Sequence, residues 1–100
     1  MNFVSTKFYV YILCSRHKNV LYVGMTNDLK KRIYFHKKRL ISGFTKKYNV
    51  DQLIYYEEFG TSDEALCRES QIKKYRRDKK NSLISKLNPD WIDLYSGIQI

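Results

Sequence analysis

The chain has 100 residues, 43% of them hydrophobic and 15% aromatic, which suits one domain with one small core. Mean hydropathy is −0.55, no apolar run approaches a membrane span, and the first residues lack a signal-peptide pattern, so the expectation is a soluble, cytoplasmic protein with no membrane partner. Lys and Arg number 19 against 10 Asp and Glu, and the net charge of +9 favours a polyanionic partner, nucleic acid before an anionic membrane surface.

Residues 8–14, FYVYILC, are β-branched and aromatic and read as a strand. Residues 20–24, VLYVG, read as a second, and SRHKN between them suits a hairpin loop. Alternation puts Phe8, Val10 and Ile12 on one face and Tyr9, Tyr11 and Leu13 on the other. Next, Thr26 or Asn27 can cap a helix and Asp28 suits its first turn. Leu29, Ile33, His36 and Leu40 form its apolar-side stripe, and Gly43 is a reasonable stop. Residues 44–50 read as a loop and 53–59 as a third strand. Thr61 and Glu64 fit a capping box for a second helix over about 62–75. A third helix covers 79–87, ended by Asn88-Pro89. The tail over 88–100 carries the lone Trp and is expected to dock back. The predicted fold is a mixed α/β (α+β) domain over 1–100 with a core at about 8–87. It is a small three-stranded antiparallel sheet with helices packed on it, in the order β-β-α-β-α-α.

The positive charge is clustered, in HKKR at 36–39 and KKYRRDKK at 73–80. Interspersed charge would suit a merely solubilising surface, whereas clustering favours nucleic acid. Cys14 and Cys67 form no zinc-type set and read as two small buried thiols. Glu69 falls between Ala65 and Ile72 on an apolar stripe shared with Leu66 and the stem of Arg76. A carboxylate there either pairs with a Lys or Arg, which the pattern alone favours, or faces a cleft and holds a cation. Arg32 and His36 are four apart and stacked on the first helix. That pair either belongs to a plainly basic helix with a partly exposed histidine or holds a phosphate and moves protons. Gly24, at a strand end, permits close backbone approach, compatible with a nearby phosphate.

Taken together these pieces resemble the GIY-YIG nuclease superfamily over about Phe8 to Leu87. YVY at 9–11 stands where that family has Gly-Ile-Tyr, with Tyr9 in place of glycine, and YVG at 22–24 stands for Tyr-Ile-Gly. A polar cap and a helix with Arg32 follow, then His36 one turn on, then Glu69 within EALCRES. The short length and the KKNSLISKLNPDW ending look like the small stand-alone members.

The resemblance implies metal-dependent hydrolysis of a nucleic-acid phosphodiester. Glu69 would hold one Mg²⁺ or Mn²⁺ ion, since a single carboxylate argues against a two-metal site. Arg32 would clamp the phosphate. Tyr11 would activate water with help from His36 while Tyr22 orients the phosphate or the water, or the two tyrosines exchange roles. The family's late asparagine would be Asn81 or Asn88. Gly24, Lys37, Lys38, Arg39, Lys46, Lys47, Lys73, Lys74, Arg76 and Arg77 would contact nucleic acid, DNA ahead of RNA, with little sequence preference. A catalytically silent nucleic-acid-binding module is the alternative, and a protein-interaction domain is third. Oligomeric state is left open.

Overall fold

The computed structural model describes residues 6–98. Its elements are β1 (Phe8–Ser15), β2 (Leu21–Thr26), α1 (Leu29–Lys37), α2 (Phe44–Lys47), β3 (Val50–Phe59), α3 (Ser62–Lys73) and α4 (Arg77–Leu87), then a 3₁₀ turn at Tyr95–Gly97. The sheet order is β2-β1-β3, and β1 pairs antiparallel with both neighbours. This is the expected mixed α/β architecture.

The alternation along β1 divides the core. Val10, Ile12 and Cys14 join Ala65 and Ile72 of α3 and Ile84 of α4 on one face. Tyr9, Tyr11 and Leu13 join Leu29 and Ile33 of α1 and Ile98 of the tail on the other. The central strand is thus buried on both faces, which explains its near-continuous apolar run.

Several boundaries differ from the sequence expectation. Asp28, not Thr26 or Asn27, caps α1, accepting from Lys31 N–H through Oδ1 at 3.2 Å. Thr26 instead accepts from Asp28 N–H at 3.1 Å. The helix stops at Lys37 because Arg39 turns into the left-handed region at φ 57. Leu40 therefore leaves the stripe and is 65% exposed, while Leu29, Ile33 and His36 are buried. Gly43 does not end α1. It precedes α2 with φ 104, a conformation L side chains rarely adopt. The expected loop at 44–50 contains α2 and the first residue of β3. Thr61 caps α3 as expected, accepting from Glu64 N–H at 3.2 Å while its hydroxyl donates to the Glu64 carboxylate. On the α3 stripe, Leu66 and Arg76 are exposed, and Cys67 is exposed while Cys14 is buried.

The tail covers the outer edge of β3. Leu94 N–H donates to Leu53 O at 2.7 Å, and the Asp93 carboxylate accepts from Leu53 N–H at 3.2 Å. Trp91 packs against the α3–α4 face and donates to Ser85 Oγ at 2.9 Å. The backbone donor and acceptor of Leu53 on this edge strand are thereby occupied. The opposite edge, β2, borders the candidate site.

Candidate active site

Tyr11 lies at the centre of β1, opposite Gly24 on β2 and Tyr56 on β3. Its phenol lies over Gly24. A Cβ at that position would come within 2.5 Å of both Cζ and Oη of Tyr11. The close backbone approach expected of Gly24 is thus to the Tyr11 ring. Tyr22, two residues before Gly24, shares this face, with its ring 6.3 Å from that of Tyr11. The His36 ring from α1 completes a triangle, 6.0 Å from Tyr11 and 5.9 Å from Tyr22.

His36 is buried, not partly exposed. Its Nε2 lies 3.3 Å from Tyr11 Oη and its Nδ1 lies 3.1 Å from Thr45 Oγ1. A neutral imidazole satisfies both contacts, with one nitrogen donating and the other accepting. Burial, aided by the charge of Arg32 and partly opposed by Asp51, lowers the His36 pKa to about 4. The imidazole is thus neutral at pH 7, with one ring nitrogen left to accept a hydrogen bond. Burial also raises the Tyr11 phenol well above its ordinary value. The nearby Tyr22 phenol and the Glu69 carboxylate add to that rise, while the positive charge of Arg32 opposes it. Tyr11 is therefore protonated in the resting site and needs added positive charge to act as a base.

Arg32 sits one turn before His36 and is exposed. It lines an open pocket of about 310 Å³ with Asn27, Asp28, Lys31 and Phe35 beside the start of α1. Glu69 projects from α3 between the buried Ala65 and Ile72, and its side chain is only 15% exposed. The salt bridge favoured by pattern exists, to Lys73 Nζ at 3.5 Å, but Lys73 is 53% exposed. Such a pair contributes a few tenths of a kcal/mol, roughly 0.3–0.5, and leaves the carboxylate free to exchange partners. Among the described residues no group of three His, Cys, Asp or Glu side chains could hold a metal ion. A cation at Glu69 would have one protein carboxylate, and this fits Mg²⁺, which keeps several waters and takes oxygen ligands.

The basic residues divide into two sets. Lys37 is engaged by the Asp93 carboxylate and by Asp51 O at 3.1 Å, so it fastens the tail rather than standing free for a ligand. Arg77 donates to Lys18 O, Asn19 O and Asn81 Oδ1, bracing the β1–β2 turn. Lys73 faces Glu69. Lys38, Arg39, Lys46, Lys47, Lys74 and Arg76 are exposed. Asn88 is buried and ties Ile54 to Ile92, a structural role that removes it from the site. Asn81 Oδ1 accepts from Arg77 Nε at 2.9 Å. Sequence reasoning missed Thr45, which fixes His36, and Phe44 and Tyr48, which continue the aromatic cluster outward. The basic-aromatic interleaving of FTKKY was the available signal for the last two.

The GIY-YIG catalytic domain matches residues 7–82, and the chain belongs to the GIY-YIG family. Among its relatives, a UPF0213 protein of Staphylococcus saprophyticus is 42% identical over 79 residues, covering 79% of this chain and 95% of the relative. A UPF0213 protein of Haloquadratum walsbyi is 40% identical over 76 residues, covering 75% and 83%. The solution NMR structure of a UPF0213 protein from Bacillus halodurans superposes with a TM-score of 0.56 at 28% identity, covering 87% of this chain and 92% of that one. The chain thus belongs to a nuclease-like superfamily. No helix among the described residues is long and apolar enough to cross a membrane.

Proposed function

We propose that the chain, as one domain over residues 1–100, is a metal-dependent endonuclease that hydrolyses nucleic-acid phosphodiesters with little sequence preference, on DNA ahead of RNA and in the cytoplasm. One observation carries the reading. Tyr11, Tyr22 and His36 pack into one cluster from three elements, and the charges of Arg32 and Glu69 both bear on the Tyr11 phenol. The Tyr11 hydroxyl in this cluster lies 3.3 Å from His36 Nε2, so a phenol and an imidazole meet at one buried point.

Glu69 would hold the single Mg²⁺ or Mn²⁺ ion, which when bound supplies positive charge to the phosphate oxygens in the transition state. Arg32 binds a non-bridging oxygen of the scissile phosphate and stabilises the same developing charge. Tyr11 takes a proton from the attacking water after losing its own to solvent, a loss the Arg32 charge favours, while the contact with Nε2 of His36, itself held by Thr45, orients the phenol oxygen. The water oxygen bonds to phosphorus, the bond to one ester oxygen breaks, and that oxygen leaves with a proton from solvent. Tyr22 orients the phosphate or the water. The exposed Lys38, Arg39, Lys46, Lys47, Lys74 and Arg76 hold the flanking phosphates, so affinity should fall steeply with salt.

The test is cleavage of a labelled plasmid and of linear, flapped and single-stranded oligonucleotides with Mg²⁺, beside Glu69→Gln. Cutting that needs both the ion and Glu69 supports the reading. Tight binding without cutting by the native chain favours the silent binding module instead.

A further inference from the structure

The aromatic cluster does not stop at the buried hydroxyls. Tyr22 stacks on Phe44 with ring centroids 6.3 Å apart and planes at 26°. Phe44 meets Tyr48 at 4.9 Å. Phe44 and Tyr48 are 47% and 46% exposed. The result is a stepped row of rings running from the Tyr11–His36 centre to the surface. Both outer rings belong to α2 or its C-cap, which places Lys46 and Lys47 between them in sequence. Lys47 Nζ lies 5.4 Å from the Tyr48 ring centroid.

Beyond Tyr48 the row continues into a polar pocket of about 420 Å³, large enough for one nucleotide. Arg16 and Arg39 supply positive charge there, while Asn19, Asn49 and Asp51 supply donors and acceptors suited to a base edge. Arg39 donates to Asn49 across this pocket, and both residues hold left-handed backbone, at φ 57 and 55. None of these features is required by hydrolysis of a backbone phosphate. Exposed rings interleaved with cations are what unpaired bases on a polyanionic strand need. Each base presents a π-face that a duplex conceals, and each phosphate needs a cation nearby.

Resting on the nuclease reading above, we propose that Phe44 and Tyr48 form a stacking platform for unpaired bases beside the scissile phosphate. The pocket behind Tyr48 takes the next nucleotide, with Arg16 and Arg39 on its phosphate. The substrate is then an unpaired stretch of a DNA strand, not a continuous duplex. Lys47 swings off the Tyr48 ring when a base arrives and pairs with a phosphate.

The experiment is fluorescence anisotropy of the full chain in EDTA, where nothing is cut. The probes are a labelled mixed-sequence DNA strand of about 20 nucleotides, its duplex, and the RNA strand of the same sequence. The native chain should prefer the single strand to the duplex. Phe44→Ala and Tyr48→Ala should each weaken single-strand binding about tenfold and leave duplex binding within about twofold of native. Phe44→Tyr, which keeps a stacking ring, should restore binding, whereas Phe44→Leu, which keeps apolar volume, should not. Arg16→Gln should weaken the single strand alone and flatten its salt dependence. RNA bound as tightly as DNA would reassign the strand but keep the platform.

Equal losses for single strand and duplex, or no loss in either alanine variant, overturn the platform while leaving the nuclease reading standing. Rescue by Phe44→Leu as full as by Phe44→Tyr also overturns it, because apolar volume would then suffice. Failure of the native chain to bind any of the three probes at low salt overturns the platform, and the Mg²⁺-dependent cleavage assay then decides the nuclease reading separately.

Discussion

Gly24 and Tyr11 share one volume: the phenol fills the space that any side chain on residue 24 would occupy. An ideal Cβ there lies 2.5 Å from Tyr11 Oη, closer than Cβ contacts in folded proteins allow. The consequence for Gly24→Ala is a displaced phenol and a strained β1–β2 pair. The expected cost is roughly 1–3 kcal/mol of stability, the range for overpacking a close-packed site, with cleavage reduced at least about 100-fold. Denaturant titration and a cleavage assay measure the two. The strain should fall by more than half in a Tyr11→Ala background, where the ring is gone. A Gly24→Ala penalty that is unchanged there would show that Tyr11 is not what the glycine accommodates.

Glu69→Gln separates chemistry from folding. The carboxylate's one ion-pair partner, Lys73, is half exposed, so the substitution should move stability by no more than about 0.5 kcal/mol. Metal-dependent cleavage should fall at least about 100-fold. Calorimetric titration of Mg²⁺ into the chain with a bound oligonucleotide should lose its signal. A glutamine variant that cuts at the native rate would remove Glu69 from the site.

His36 makes the fold acid-sensitive in a defined window. Its folded pKa, about 4, lies below the unfolded value of about 6.5, so protons bind the unfolded chain more readily. Stability from this group is complete above pH 6.5 and is lost as pH falls towards 4. Between pH 7 and pH 5 the loss is roughly 2 kcal/mol. The groups that face the ring are Tyr11, Thr45 and the charges of Arg32 and Asp51. In His36→Gln the corresponding drop should shrink to below about half that of the native chain, read from urea midpoints at the two pH values. An undiminished drop would place the acid sensitivity elsewhere.

Thr45 holds the far nitrogen of that ring. Thr45→Val preserves shape but leaves Nδ1 buried without a partner, costing about 1–3 kcal/mol. The hydroxyl can donate to Nδ1 or accept from it, so its loss should change the tautomer balance, read from ¹⁵N shifts of the imidazole in the valine protein. Cleavage should fall with its pH profile displaced, which loss of packing alone would not produce. Unchanged ¹⁵N shifts would reduce Thr45 to a packing residue.

How legible the molecule was in its sequence depended on whether a signal was local. The faces of β1 were readable because a period of two fixes them, and Tyr9, Tyr11 and Leu13 do lie together. Tyr11, Tyr22, Arg32, His36 and Glu69 were readable only as an ordered set, since each alone fits an ordinary strand or helix. Leu40 misled because its spacing continued the helix, while the break came from Arg39 turning left-handed, which arginine does not advertise. Charge alone marks Lys37 and Arg77 as ligand contacts, and their intramolecular partners are not visible in the sequence. Their partners, Asp93 and the β1–β2 turn, lie 56 and about 58 positions away in sequence and meet them only in the folded chain. Thr45 was invisible for the same reason.

The two late asparagines should behave oppositely. Asn88 Nδ2 donates to Ile54 O and Ile92 O, each at 2.9 Å, and its Oδ1 accepts from Ile92 N–H at 3.1 Å. The side chain therefore fastens the end of α4 and the start of the tail to β3. Asn88→Ala leaves these backbone groups without partners and should cost roughly 2–3 kcal/mol. Asn81 makes one exposed contact, accepting from Arg77 Nε at 2.9 Å, and Asn81→Ala should stay within about 0.5 kcal/mol of native. Any loss of cleavage in Asn88→Ala should follow its loss of folded protein and vanish when rates are measured well below its melting temperature. A stable Asn88→Ala protein that no longer cuts would return this residue to the chemistry.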